Sequence, residues 1–227
     1  MLAAALAVQA AALLAVSWQV AVDGPLLGLD RWVRHGVLAS RHRLSNSLLD
    51  HLGALLSDLG GSVPAVPILL GGGALAAWRA RRAGMRRWWF PLPAAVATAG
   101  LIPLLVVPAK AWFHRPGPLG LPLTPEQWGW YPSGHTATAG IAYGVAALLL
   151  GRTVGARSRR RLHAGAGLLA AGVGLGLVWS DYHWALDVVA SWCLAGLLLP
   201  ALALPVAHLM PATRPVTPKL PAPPEHR

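Results

Sequence analysis

Six apolar stretches, each close to the length that a helix needs to cross a bilayer, set the terms for this chain. Residues 1–22 are apolar almost throughout, and residues 63–78, 91–109, 136–151, 162–179 and 183–206 repeat the pattern. Spanning the hydrocarbon core takes about 20 such residues, and in lipid the backbone must satisfy its hydrogen bonds internally. The expectation is an all-α integral membrane protein of six spans. Composition agrees: 12% of residues are charged, against about 25% in a soluble domain. A cleaved signal peptide at residues 1–22 would leave five spans. That segment lacks a basic start and its apolar run is too long for one, so a retained helix is expected.

The net charge of +11 raises the question of nucleic acid, but its distribution answers it. There are two lysines, and the arginines gather in short runs between apolar segments. Arg79, Arg81, Arg82, Arg86 and Arg87 follow the second span; Arg152, Arg157, Arg159, Arg160 and Arg161 follow the fourth. This is the pattern of cytoplasmic loops, and nucleic-acid binding is not expected. Both clusters follow even-numbered spans, so both ends of the chain fall in the cytoplasm. Residues 1–210 read as one membrane domain and residues 211–227, rich in proline and mixed charge, as a disordered cytoplasmic tail. Between the first two spans, residues 23–62 mix charges with apolar positions recurring at three and four, which predicts short amphipathic helices along the extracytoplasmic interface. The single cysteine, Cys193, allows no intrachain disulfide and sits in an apolar run as a buried thiol.

Three polar groups land at one depth on the extracytoplasmic side. Lys110 ends the third span, with Arg115 just beyond it. Ser133, Gly134 and His135, in Trp130-Tyr131-Pro132-Ser133-Gly134-His135, open the fourth span; His183 and Asp187 open the sixth. Pro132 and Gly134 favour a turn, so Ser133 and His135 stand where a loop becomes a helix and unpaired amides welcome an anion. Asp187 follows His183 by four residues, so on a helix the two share a face. The carboxylate then takes the proton of one ring nitrogen and leaves the other with its lone pair outward. That makes His183 a nucleophile towards phosphorus, with His135 placed to protonate the leaving oxygen. Lys110, Arg115, Ser133 and the Gly134 amide would hold the phosphoryl oxygens. His114 reads as an interfacial histidine, and Trp112, Trp128, Trp130, Trp179 and Trp184 as an aromatic belt.

These blocks, from Lys110 through Pro118, Pro132 through His135, and His183 through Asp187, resemble the type 2 phosphatidic acid phosphatase family, which also includes the vanadium haloperoxidases. The family pattern is K-x6-R-P, then P-S-G-H, then S-R-x5-H-x3-D, and the likeness covers roughly residues 63–205. The resemblance implies a phosphohistidine intermediate on His183, hydrolysis by water, and no metal or other cofactor. It implies a lipid phosphate as substrate: phosphatidic acid, phosphatidylglycerol phosphate or a polyprenyl diphosphate. Two positions depart from the pattern. Gly117 and Leu177 stand where the family has its arginines, and the Ser180-Asp181 pair is too close to His183 to substitute. Arg115, two positions early in a loop with Pro116, Gly117 and Pro118, is expected to swing into the vacancy as the one bidentate clamp on phosphate. The expected activity is that of a lipid phosphatase of a bacterial inner membrane with its site facing outward. The alternative is a weak or inactive family member that binds or transports lipid phosphates.

Overall fold

The computed structural model describes residues 1–124 and 126–210; the expected tail at 211–227 lies outside the described residues. Eight helices follow one another: α1 (Leu2–Ala21), α2 (Leu27–Leu44), α3 (Ser47–Asp58), α4 (Ser62–Arg82), α5 (Pro91–Phe113), α6 (Gly134–Gly151), α7 (Ala156–Trp179) and α8 (Ala185–Leu209). Six of them, α1 and α4 to α8, are long and apolar enough to cross a membrane. They coincide with the six expected spans, and the protein is a multi-pass membrane protein.

Helix α6 is the axis of the bundle. It packs against α4, α5, α7 and α8, and nearly all of its residues are buried. Its residues are small, which lets neighbouring backbones come close where lipid supplies no hydrophobic drive between helices. Gly140 and Gly144 show the need: a Cβ at Gly140 would lie 2.8 Å from the Ala195 Cβ, and one at Gly144 would lie 2.6 Å from Leu199. Helix α1 packs on α8 through Val16 and Val20, which join Tyr131, Leu186 and Ala190 in a small core. The Ser17 hydroxyl lies 2.7 Å from the Tyr131 hydroxyl; burial pushes that phenol up to about 12, so it stays protonated.

Residues 23–62 do form two amphipathic helices, α2 and α3, and these clasp the bundle. Asn46 caps α3, its side chain accepting from the Leu48 and Leu49 amides at 3.0 and 3.3 Å. Helix α3 then packs along the last turns of α7, where the Asp50 carboxylate accepts from Trp179 Nε1 at 3.0 Å. Helix α5 runs on beyond its expected end at residue 109 to Phe113, so Lys110 belongs to the helix and His114 closes it in a left-handed conformation.

Candidate active site

Everything expected of the site lies at one end of the bundle, where α5 ends, α6 and α8 begin, and the turn from α7 to α8 passes between them. Ser133 is the N-cap of α6, its Oγ accepting from the Thr136 amide at 3.3 Å. Side-chain capping of this kind satisfies one orphan donor of the first turn. The amides of Gly134 and His135 have no intrahelical acceptor and stay available. The start of α8 is stitched to this cap. The Ser133 amide donates to the Asp187 carbonyl at 3.2 Å, and the Ser191 hydroxyl reaches both the Ser133 and Asp187 carbonyls.

Lys110 projects from the last turns of α5 across the same opening. Its ammonium donates to the carbonyls of Gly129 and Trp130, each at 3.0 Å. An ammonium carries three donors, so one remains. Lys110, Gly134 and His135 together line a cleft of about 260 Å³ whose remaining wall is largely apolar, from Val66 on α4 to Ala99, Ile102, Pro103 and Val106 on α5. His135 is exposed on this cleft, and the loop between α3 and α4 closes over its base. There Gly60 cannot be larger, since a Cβ would fall 2.8 Å from the His135 carbonyl and 2.6 Å from Val173.

His183 and Asp187 are buried behind this lining. His183 Nδ1 lies 3.1 Å from Asp187 Oδ2, as their spacing of four predicts. Burial holds the imidazole below its usual range, against the Asp187 bond and charge, which raise it. His183 is therefore neutral at pH 7, with Nδ1 carrying the proton that Asp187 accepts and Nε2 left as the basic nitrogen.

Arg115 departs from the expectation. Its guanidinium does not stand open in a phosphate cradle; it is 8% exposed and held between two carboxylates. One terminal nitrogen donates to Asp187 Oδ1. The other donates to Asp30 Oδ2 at 2.6 Å, and the Trp184 ring covers it with its centroid 5.4 Å away. Two buried anions outbid a transient ligand for a single cation, so Arg115 is engaged with Asp187 and Asp30 and does not line the cleft. Asp30, which closes this network, escaped the sequence reading; there it was one charge among many in residues 23–62.

The structure also gives a reason for the two missing arginines. A Cβ at Gly117 would lie 2.8–3.0 Å from the Trp130 indole, whose Nε1 donates to the Tyr182 carbonyl at 3.1 Å. Leu177 is 2% exposed in the main core, and its carbonyl accepts from the Tyr182 and His183 amides. Asp181, hard to reconcile with a bound anion, is paired with Arg34 of α2 through two bonds of 2.7 Å.

No curated protein matches this chain. Among solved structures it is similar to a transmembrane PAP2-type phosphatidylglycerolphosphate phosphatase from Bacillus subtilis, with a TM-score of 0.70 and 24% identity, over 89% of this chain and 97% of that one. At this identity the likeness speaks for the fold. The PAP2 superfamily model matches residues 88–209, a stretch that contains Lys110, Ser133, His135, His183 and Asp187. With more than half its length matched, and those five side chains gathered at one end of the bundle, the chain belongs to the PAP2 superfamily.

Proposed function

We propose that this protein hydrolyses a phosphate monoester or diphosphate carried by a lipid, through a phosphohistidine on His183, at the outer face of a bacterial inner membrane. The observation that carries the reading is the juxtaposition of a buried His183–Asp187 pair with Lys110 and His135 beside an apolar cleft. Such a cleft lets a head group meet the polar residues while its chain stays among Val66, Ile102 and Val106. The phosphatidylglycerolphosphate named for the structural neighbour fits this description, as do phosphatidic acid and polyprenyl diphosphates.

In the first step His183 Nε2 attacks phosphorus and the bond to the lipid oxygen breaks. His135 protonates that oxygen as it leaves. Lys110 and the amides at the α6 N-terminus face the charge on the non-bridging oxygens. As the P–N bond forms, the ring becomes cationic, and Asp187 stabilises it through Nδ1–H. Water, deprotonated by His135, then attacks the phosphohistidine, the P–N bond breaks, and phosphate leaves. Every step uses these side chains and calls on no metal. The arginine clusters after α4 and α6 favour the cytoplasm for the opposite end of the bundle.

The test is phosphate release by the purified full-length protein from mixed micelles of each lipid, with His183→Ala alongside. The parent is expected to release phosphate and His183→Ala to fall by about 10⁴-fold or more. Equal release by the two proteins would leave a lipid-phosphate binder, the reading that the occupied arginine positions favour. Gly60→Ala provides a second measurement. Its methyl must displace the His135 backbone or Val173, so turnover is expected to fall on the order of 10²-fold while binding of a non-hydrolysable phosphonate lipid changes little.

A further inference from the structure

Asp30 is the one buried residue of α2, a helix that leaves Leu29 and Trp32 exposed. Hydrophobic burial does not explain that choice. A carboxylate 1% exposed costs free energy unless its oxygens are bonded, and here both are. Oδ2 accepts from Arg115 at 2.6 Å, and Oδ1 accepts from the Leu186 amide at 2.8 Å. Leu186 lies in the first turn of α8, whose own N-cap residue, Trp184, provides no side-chain cap. Asp30 thus caps α8 from across the molecule and holds Arg115 at the same time.

The geometry at Asp187 gives this arrangement a purpose. A guanidinium prefers to grip a carboxylate with two parallel bonds. Here Arg115 meets Asp187 through one nitrogen, at Oδ1, because its other nitrogen is engaged by Asp30. Asp187 Oδ2 is thereby left for His183. Released from Asp30, the fork is free to rotate onto both Asp187 oxygens and to take the acceptor that fixes the imidazole tautomer.

We propose that Asp30 is a positioning residue for His183: by holding one arm of Arg115 and the first turn of α8, it keeps half of the Asp187 carboxylate free for the imidazole. This rests on the reading of His183 as nucleophile. Burial holds the Asp30 carboxyl above its usual range, against the bonds from Arg115 and Leu186, which lower it. Asp30 lies outside the stretch matched by the family model, residues 88–209.

The experiment compares parent, Asp30→Asn and Asp30→Glu as full-length proteins in detergent, reading kcat and KM on phosphatidic acid micelles. The ¹⁵N resonances of His183, assigned with His183→Gln, report its tautomer. Asp30→Asn keeps the shape and loses the charge. Its kcat is expected to fall on the order of 10²-fold at the KM of the parent, while the His183 signal leaves the pure Nδ1–H form. Asp30→Glu is expected to retain more activity than Asp30→Asn. Parental kcat in Asp30→Asn, or a His183 tautomer unchanged from the parent, overturns the proposal. Should Asp30→Asn not fold, Asp30→Ser, which is too short to hold the Arg115 arm, decides: lowered kcat at unchanged KM supports the proposal and parental kcat sinks it. A parent that releases no phosphate removes the nucleophile reading instead, and the tautomer comparison then decides the part played by Asp30.

Discussion

Replacing Arg115 by alanine is expected to lower folding stability by about 3–5 kcal/mol, the usual consequence of leaving a buried charge unpaired. The reason is the pair of carboxylates it separates. Asp30 and Asp187 are 1% and 0% exposed, and Arg115 is the cation that bonds to both. Without it, two anions share a buried site, and one must take up a proton or water must enter. Thermal unfolding in detergent is the measurement, with Arg115→Ala melting on the order of 10 °C below the parent. Combining Arg115→Ala with Asp30→Asn is expected to recover part of the loss, because the second change removes one of the stranded charges. A phosphate clamp behaves differently: its removal leaves the melting temperature untouched and lowers only catalytic efficiency. That outcome would return Arg115 to the role its place in the sequence suggests.

His135→Ala is expected to separate two kinds of substrate. A lipid alkoxide is a poor leaving group and needs a proton as its bond to phosphorus breaks, so loss of the acid costs about 10²–10⁴-fold on phosphatidic acid. An aryl phosphate whose phenol has a pKa of roughly 7 leaves without that help. Single-turnover phosphorylation of His183 by such an ester should therefore proceed close to the parental rate. The phosphoenzyme should then persist, since the proposed mechanism also assigns His135 as the base that activates water. An equal loss on both substrates in the single turnover would place the acid elsewhere and leave His135 as a wall of the cleft.

The membrane spans were legible because hydropathy reads the very property that lipid selects. Where helix ends differ, the cause is physical. Helix α7 starts at Ala156, six residues before its apolar run, because Arg157 to Arg161 continue the helix while their charged heads can reach water. The same holds at Lys110, which hydropathy sets at the edge of a span and the backbone keeps inside α5. Ser133 as N-cap and the His183–Asp187 pair were legible too, since both depend on neighbours within four residues. Asp30 and Arg34 were not. In the sequence they are two charges among many in residues 23–62, yet each bonds to a distant partner, Arg115 and Asp181 respectively. The sign of Arg115's contribution was hidden for the same reason: its partners are 85 and 72 residues away, and no local pattern announces them.

The reach of Asp30 bears on how the protein is born. Chains emerge from the amino end at about 5–20 residues per second, so α2 is made long before the Leu186 amide that completes its contacts, 156 residues later. For roughly 10–30 s that amide is missing, although Arg115, 85 residues after Asp30, is made about halfway through the interval. The contacts of Asp30 are complete only when α8 stands beside α1 and α6. His183, Asp187 and Arg115 therefore come together only once α8 is in place. A chain halted before α8 has Asp30 and Arg115 but not yet the Asp187 carboxylate that both serve.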